Sequence, residues 1–428
     1  MSAARNTART AMPSTSAPSA PQLRQDALVI TLVGVAHGIS HFFHMILAPL
    51  FPWLKEAFAL SYSELGLLMS VFFIVSGVGQ ATAGFVVDKL GAFKVLLFGV
   101  TCLALSALWL ASAHSYPMLL IGAMLAGLGN SVFHPSDYTI LNKKVSTARL
   151  GYAFSIHGIS GNLGWAAAPV FLVSLAGIYD WRTALLAAAC LPIAVLVLLF
   201  VYRAALDTGA PTVAATSAAT SAVTQKSSEG SLDFLRLPAV WMCFAFFFMT
   251  AMALGGIQSF SAASLRDLYG MSLAWATSAY TGYMLASAAG MLLGGFLAAK
   301  TTHHDKIIAY AFTFAGCMAL LLASGWGSAW LALVLMVVIG FCSGIAGPSR
   351  DLMIRAAAPS NATGRVYGVV YSGLDSGLAC APLLFGAVMD AHHPSWVFVC
   401  VGVFQVLAIM TAVNVGSATR ARNLVSAA

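Results

Sequence analysis

The 428-residue chain is 60% hydrophobic and 8% charged, with a formal net charge of +7, whereas about 25% of residues in an ordinary soluble domain are charged. No water-soluble globular fold covers that much apolar surface, so that class is excluded. The sequence also shows no paired-carboxylate or nucleophile motif and no soluble domain to hold one, which argues against an enzyme.

Residues 1–27, with Pro13, Pro18 and Pro21 among Ser, Thr and Ala, predict a disordered cytoplasmic tail. The apolar stretch that follows is too long, and too interrupted by histidine, for a cleaved signal peptide. Spans 1 to 6 are predicted over residues 28–52, 62–86, 94–112, 117–141, 150–177 and 182–204. Each supplies the ~20 apolar residues that cross a ~30 Å hydrocarbon core as a helix. Residues 205–235, rich in Ala, Ser and Thr and containing Pro211, predict a flexible cytoplasmic linker. Spans 7 to 12 follow over 236–263, 272–299, 304–324, 328–352, 362–388 and 395–416, and residues 417–428 form a second cytoplasmic tail. Lipid offers the backbone no hydrogen-bond partners, so runs this continuously apolar are helical. The predicted fold is all-α and integral to the membrane, with six-helix bundles over 28–204 and 236–416.

Lys and Arg set the orientation, because positive flanks stay on the cytoplasmic side. With both termini inside, the outer loops hold only Lys55, Arg182 and Arg266 of the 21 basic residues. A multi-pass protein of the inner, cytoplasmic membrane is expected, and the basic balance reflects topology, so no nucleic-acid partner is implied. Cys102, Cys190, Cys243, Cys317, Cys342, Cys380 and Cys400 all fall in predicted spans without a CxxC pair and read as buried free thiols.

The halves repeat. At a constant offset of 213, Gly127 meets Gly340, Pro135 meets Pro348, Gly164 meets Gly377, and Ala168-Pro169 meets Ala381-Pro382. At an offset of 211, Ser76 meets Ser287, Gly79 meets Gly290, Gly84-Phe85 meets Gly295-Phe296, and Lys89 meets Lys300. Span 1 should therefore correspond to span 7 and span 4 to span 10.

Between spans 2 and 3 the chain reads Gly84-Phe85-Val86-Val87-Asp88-Lys89-Leu90-Gly91-Ala92-Phe93-Lys94. In spacing and position this resembles the loop signature of the major facilitator superfamily, with Ala92 replacing one basic residue and Ala299 replacing the acid in the second half. The resemblance covers about residues 28 to 416 and implies two pseudo-symmetric bundles, with Gly84, Asp88, Lys89, Gly91 and Lys94 forming a gating loop. Gly84 is expected to permit close helix contact. Within the superfamily, Val132-Phe133-His134-Pro135 is similar to a segment of the fosmidomycin-resistance type of exporter, and Pro49 and Pro52 resemble the end of the first span in drug exporters. Gly158, Gly161, Gly164 and Ala168-Pro169 loosely resemble the antiporter signature, with Ala-Pro for its Gly-Pro.

Polar groups within spans mark candidate sites, because each costs at least ~2.5 kcal/mol to insert unless it faces a cavity or a partner. His37, His41 and His44 lie at i, i+4 and i+7, within an arc of roughly 60°. The resemblance places spans 1, 4, 7 and 10 around a central cavity, so this stripe is expected to face substrate, although single histidines also serve as bonds between helices. With Met45, the stripe has a spacing that could ligate Zn or Cu, but no carboxylate or thiolate accompanies it on span 1, and no metal is assigned. Span 4 adds Asn130, His134 and Asp137, and span 5 adds His157 and Asn162. Arg350 occupies the repeat position of Asp137: the two could meet as a charge-pair gate, or Arg350 could mark the end of span 10. Asp375, at the repeat position of Asn162, is a candidate proton carrier. Gln258 and Gln80 are further polar contacts, and Asp390, His392 and His393 read as surface groups.

These features predict a secondary transporter working by alternating access, needing no cofactor beyond a proton gradient and acting as a monomer on a small solute, protons and the bilayer. Protonation of Asp375, Asp137 or the histidines would make the two states differ in energy. Export of a drug-like molecule or metabolite by proton antiport leads, symport of a small organic anion is the alternative, and transition-metal transport is a third reading.

Overall fold

The computed structural model describes residues 20–208, 238–301, 303–357 and 363–427. Among these described residues, twelve helical segments are long and apolar enough to cross a membrane. Span 1 (Ala20–Phe58) contains helices Ala20–His44 and Phe51–Phe58, joined through a 3-10 turn at Ala48–Leu50. Span 2 is Tyr62–Leu90 and span 3 Ala92–Ala111; span 4 comprises Tyr116–Asn130 and Phe133–Lys144; span 5 is Leu150–Ile178 and span 6 Trp181–Val201. Spans 7 to 12 are Pro238–Tyr269, Leu273–Ala299, His304–Ala323, Ala329–Ala357, Thr363–Asp390 and Ser395–Ala427. Large apolar side chains such as Val78, Phe296 and Tyr310 are exposed on the outer surface, where lipid replaces water as the solvent.

Several boundaries differ from the sequence expectation. The predicted tail 1–27 is helical from Ala20, because fully buried Asp26 accepts bonds from Ser146 N (3.2 Å), Ser146 Oγ (2.5 Å) and Gln22 Nε2 (2.9 Å) and so ties this turn to the base of span 4. Most of the predicted linker, residues 209–235, lies outside the described residues, while Arg203–Leu206 adds one further helical turn. At the other end, the helix of span 12 runs on to Ala427 through most of the predicted tail 417–428. Cys190, Cys317 and Cys380 are exposed and not buried as expected; the other four are buried or half-buried.

Two prolines interrupt span 1 at its predicted end, Pro49 within the 3-10 turn and Pro52 in the first turn of the next helix, positions where a missing N–H costs nothing. Span 4 breaks at Ser131–Val132. Pro135 has no N–H for the carbonyl four residues back, and the helix restarts with Ser136 N bonding Val132 O at 3.1 Å. Its repeat mate Pro348 sits inside an unbroken helix.

The internal repeat is a repeat of packing. Span 1 packs on 5 as 7 packs on 11, 2 on 4 as 8 on 10, and 3 on 6 as 9 on 12. The shared glycines stand where the backbones meet. A Cβ at Gly164 would overlap the Gly38 carbonyl oxygen, and one at its mate Gly377 would press on Phe248 O and Ala251. Likewise Gly127 abuts the Phe72 carbonyl and Gly340 the Tyr283 carbonyl.

The bundles meet along two seams, span 2 against 11 and span 5 against 8. At the first seam, Asp390 ends span 11 and accepts hydrogen bonds from Tyr62 N (2.7 Å), Ser63 N (2.8 Å) and Ser63 Oγ (2.5 Å). It thus satisfies N–H groups at the start of span 2 that the helix cannot pair itself, so it is a cross-bundle cap and not the surface group expected. Gly386 against Tyr62 and Gly66 against Pro382 continue the contact, and Gly77 meets Asp375 near the middle. Further along, a Cβ at Gly84 would meet nothing within 4 Å among the described residues. The expected close helix contact at Gly84 is therefore not made, because the seam closes from the Asp390 end and reaches only to its middle.

Candidate substrate cavity

Two cavities lie end to end between the bundles. One of about 280 Å³ is walled by spans 1, 4 and 5 of the first bundle and by parts of spans 7 to 12 of the second. The other, about 300 Å³, lies toward Lys55 and Arg266. Of the expected site residues, His37, His41, His134, His157, Asn162 and Arg350 line the first. Gln258 lines the second, and Asp375 lies in the seam against Gly77, so neither joins the histidines.

The helical spacing of span 1 turns His37 and His41 into the cavity, and the break in span 4 sets His134 opposite them. Ring centroids lie 4.3 Å apart for His37 and His41, 3.5 Å for stacked His37 and His157, and 5.5 Å for His37 and His134. His41 also packs on Trp165 at 4.3 Å. Gly161 of span 5 makes room, since a Cβ there would crowd the His37 and His41 rings.

Around these rings runs a shell of hydrogen bonds. Buried Asp137 is 3.1 Å from His157 Nε2, so among the described residues its ion-pair partner is His157. The expected Asp137–Arg350 gate is not formed here; the Arg350 guanidinium stands over the Phe247 ring at 4.8 Å. His134 Nδ1 donates to Gln80 Oε1 at 2.9 Å, and His37 Nδ1 lies 3.3 Å from Ser160 Oγ, whose own proton goes to the His157 carbonyl at 2.8 Å. His44 turns away from the cavity. Its Nε2 donates to Asn130 Oδ1 at 2.9 Å, Ser40 Oγ donates to the same oxygen at 2.5 Å, and Asn130 Nδ2 reaches Ser76 Oγ at 2.7 Å. Asn130 is thus a buried junction of spans 1, 2 and 4. Asn162 donates to Met291 Sδ at 3.2 Å across the second seam, where Thr281 Oγ1 also reaches Ala166 O at 3.3 Å.

The wall contributed by the second bundle is different. Thr250, Leu254, Tyr283, Met284, Met291 and Phe312 are uncharged, and Arg350 is its charged member. In the gating loop, Asp88, Lys89 and Lys94 are exposed, and Gly91 adopts φ 88, a conformation side chains rarely take, which explains a glycine where spans 2 and 3 meet.

Sequence reasoning missed Ser40, Ser160, Trp165, Tyr138, Asp26 and Asp390. Ser40 shares the face of His37 and His44, and Ser160 lies three residues after His157, so their spacing was a usable signal. Asp390 carried none, because its partner is 328 residues away in sequence.

A bundle pair with repeated packing, a span 2–span 11 seam that closes from the Asp390 end only to its middle and a histidine-lined cavity between the bundles is the architecture of a two-bundle membrane transporter fold. The chain belongs to the major facilitator superfamily, whose pattern matches residues 33–377. It is 30% identical over 142 residues to the uncharacterized MFS-type transporter YfnC of Bacillus subtilis (strain 168), covering 33% of this chain and 34% of that protein. Against the fosmidomycin resistance protein of Escherichia coli (strain K12) it is 29% identical over 155 residues, 36% of this chain and 38% of that one. The matched parts thus span little more than a third of these two relatives. The class D tetracycline resistance protein of Salmonella ordonez matches at 25% identity over 377 residues, 86% of this chain and 90% of that protein. Among solved structures, an inward-facing, occupied bacterial homolog of the human lysosomal transporter Spinster superposes with a TM-score of 0.74 at 16% identity, covering 93% of this chain and 97% of that one. The chain is thus a member of this superfamily with twelve candidate membrane spans among its described residues.

Proposed function

We propose that this transporter exports a small drug-like solute or metabolite in exchange for protons, with the 280 Å³ cavity as the solute site and Asp375 as the carrier of the coupled proton. The observation that carries the reading is the position of Asp375. It is half-buried at the middle of the seam between spans 2 and 11, its Cβ against Gly77, and it forms no ion pair among the described residues. The packed segments on either side, residues 66–87 of span 2 and 244–260 of span 7, hold no charged residue. When the bundles rock, the hydration of this carboxylate changes, and so does the free energy of protonating it. Such a difference between states is what couples a proton gradient to solute movement.

With the Lys- and Arg-rich ends in the cytoplasm, the Asp390 end of the seam faces outside, and the histidine cavity lies on the cytoplasmic side of the outer vestibule. Solute would enter the cavity from within and leave when the Asp390 contact opens. The relatives named for fosmidomycin and tetracycline resistance favour this direction. Arg350 and the histidine wall favour a second reading, uptake of a small organic anion with protons.

Purified protein in liposomes with an imposed pH gradient and a lumenal pH dye tests both. Under antiport, adding a drug-like solute moves protons opposite to the solute, and Asp375→Asn loses that coupling. Full pH dependence in Asp375→Asn would remove the proton assignment, and co-directional movement would favour uptake.

A further inference from the structure

We infer that His37, His41 and His134 form a binding site for a divalent transition-metal ion of the Zn²⁺ or Co²⁺ kind. One ligand atom from each of the three lies within 4.8 Å of the others, and all three line the cavity. Sequence spacing placed no carboxylate near the stripe of span 1. The fold supplies one, because Asp137 and His157 form a second such group with His37.

The tautomers make the case. Ser160 Oγ gives its proton to the His157 carbonyl, so it accepts from His37 Nδ1, which leaves the lone pair of His37 on Nε2. That Nε2 is buried and has no hydrogen-bond partner among the described residues. His134 donates through Nδ1 to Gln80 Oε1, which leaves its Nε2 as the lone-pair nitrogen. His41 has both ring nitrogens buried and unpartnered. Buried polar atoms are normally paired, so His37 Nε2 and both His41 ring nitrogens, three buried and unpartnered among the described residues, point to a missing ligand, with His134 Nε2 presented to the same cavity. Histidines that hold a metal typically donate their other N–H to an oxygen that fixes ring and tautomer, and Ser160 and Gln80 stand in those places. Asp137 does the same for His157 beside the site.

Neutral imidazoles suit borderline ions such as Zn²⁺, Co²⁺ and Ni²⁺ and not Mg²⁺ or Ca²⁺. At Zn–N bonds of ~2.0 to 2.1 Å a tetrahedral ion needs its nitrogens about 3.4 Å apart, so ring rotation from separations within 4.8 Å closes the set. The fourth position would face the cavity, open to water or to a donor group of a solute.

The test is Co²⁺ binding to the purified, tag-free protein in detergent, read by the visible absorption of tetrahedral cobalt and by competition with Zn²⁺. One ion per chain is expected, displaced by Zn²⁺ and not by Mg²⁺. His41→Gln should weaken binding by at least ~100-fold, and Gln80→Ala, which touches only a positioning bond, by roughly 10-fold. Replacing the exposed pair His392 and His393 by Ala should leave binding unchanged. The inference is overturned if no tetrahedral spectrum forms in folded wild-type protein, or if binding survives His41→Gln and disappears with the surface pair. Should His41→Gln not fold, His134→Gln with the same readout replaces it. Binding requires neither flux nor a proton gradient, so failure here leaves the export reading standing, and failure of export leaves this site standing.

Discussion

The two walls of the cavity descend from the same backbone pattern yet carry opposite chemistry. At the offset of 213, Asn130 corresponds to Ser343, His134 to Gly347, His157 to Val370 and Asn162 to Asp375. Gly164, where spans 1 and 5 pack at backbone contact, is kept as Gly377 where their mates 7 and 11 do the same. The hydrogen-bonded histidine cluster exists only in the first bundle. Scaffold positions are held by sterics common to both halves, whereas wall positions are free to diverge because they face space. The first bundle is therefore the polar, hydrogen-bonded wall and the second the one rich in Met and aromatic side chains, which repack readily.

The comparison breaks first at the scaffold. Gly164→Leu and Gly377→Leu should each abolish folded protein, as judged by size-exclusion chromatography and thermal unfolding, since each side chain would enter a neighbouring backbone. Gly158→Ala, with nothing within 4 Å, should be tolerated. Unequal damage from the two Leu variants would show that the halves are not held alike.

Next is the buried pair that only the first wall possesses. Asp137→Ala leaves His157 without its partner and should cost about 3 to 5 kcal/mol in unfolding measurements; a wild-type Tm would mean that the pair contributes nothing. Asn130→Ala follows. Ser40, His44 and Ser76 lose their common partner, at about 1 to 3 kcal/mol for each group left buried and unpaired. Ser343→Ala at the repeat position should cost far less, because its bond from Gln405 is 3.5 Å long.

Asp390→Ala tests the seam and neither wall. Loss of three hydrogen bonds to a carboxylate, each worth about 1.5 kcal/mol or more, should shift the bundles toward opening at that end by tenfold or more. Thiol labelling of a cysteine introduced beside Tyr62 would follow it, and unchanged labelling would remove Asp390 as a latch.

The smallest effect is at Asp180, in the loop before span 6. The Thr183 backbone N–H, with the Thr183 hydroxyl, holds its carboxyl below the usual range. A depressed carboxyl contributes stability above its unfolded value, and that contribution is lost as pH falls through the folded value. Wild type and Asp180→Asn should therefore differ slightly near neutrality and converge in acid, below about pH 4.

Twelve spans, the two bundles and the repeat were legible in the sequence because each is a local property: apolar length or a shared offset. The stripe of His37 and His41 was legible for the same reason, through helical period. Its chemistry was not. His134, Asp137 and His157 lie roughly a hundred residues further along, and only the packing of spans 1, 4 and 5 sets the histidine rings together and brings the Asp137 carboxylate to His157. Packing likewise set Asp137 beside His157, moved Gln258 to the other cavity, set Asp375 in the seam and turned Asp390 from a surface group into a cap on the opposite bundle. Composition decides what solvent a chain like this lives in, but which polar groups meet inside it depends on contacts between segments far apart in sequence, and no local pattern encodes those.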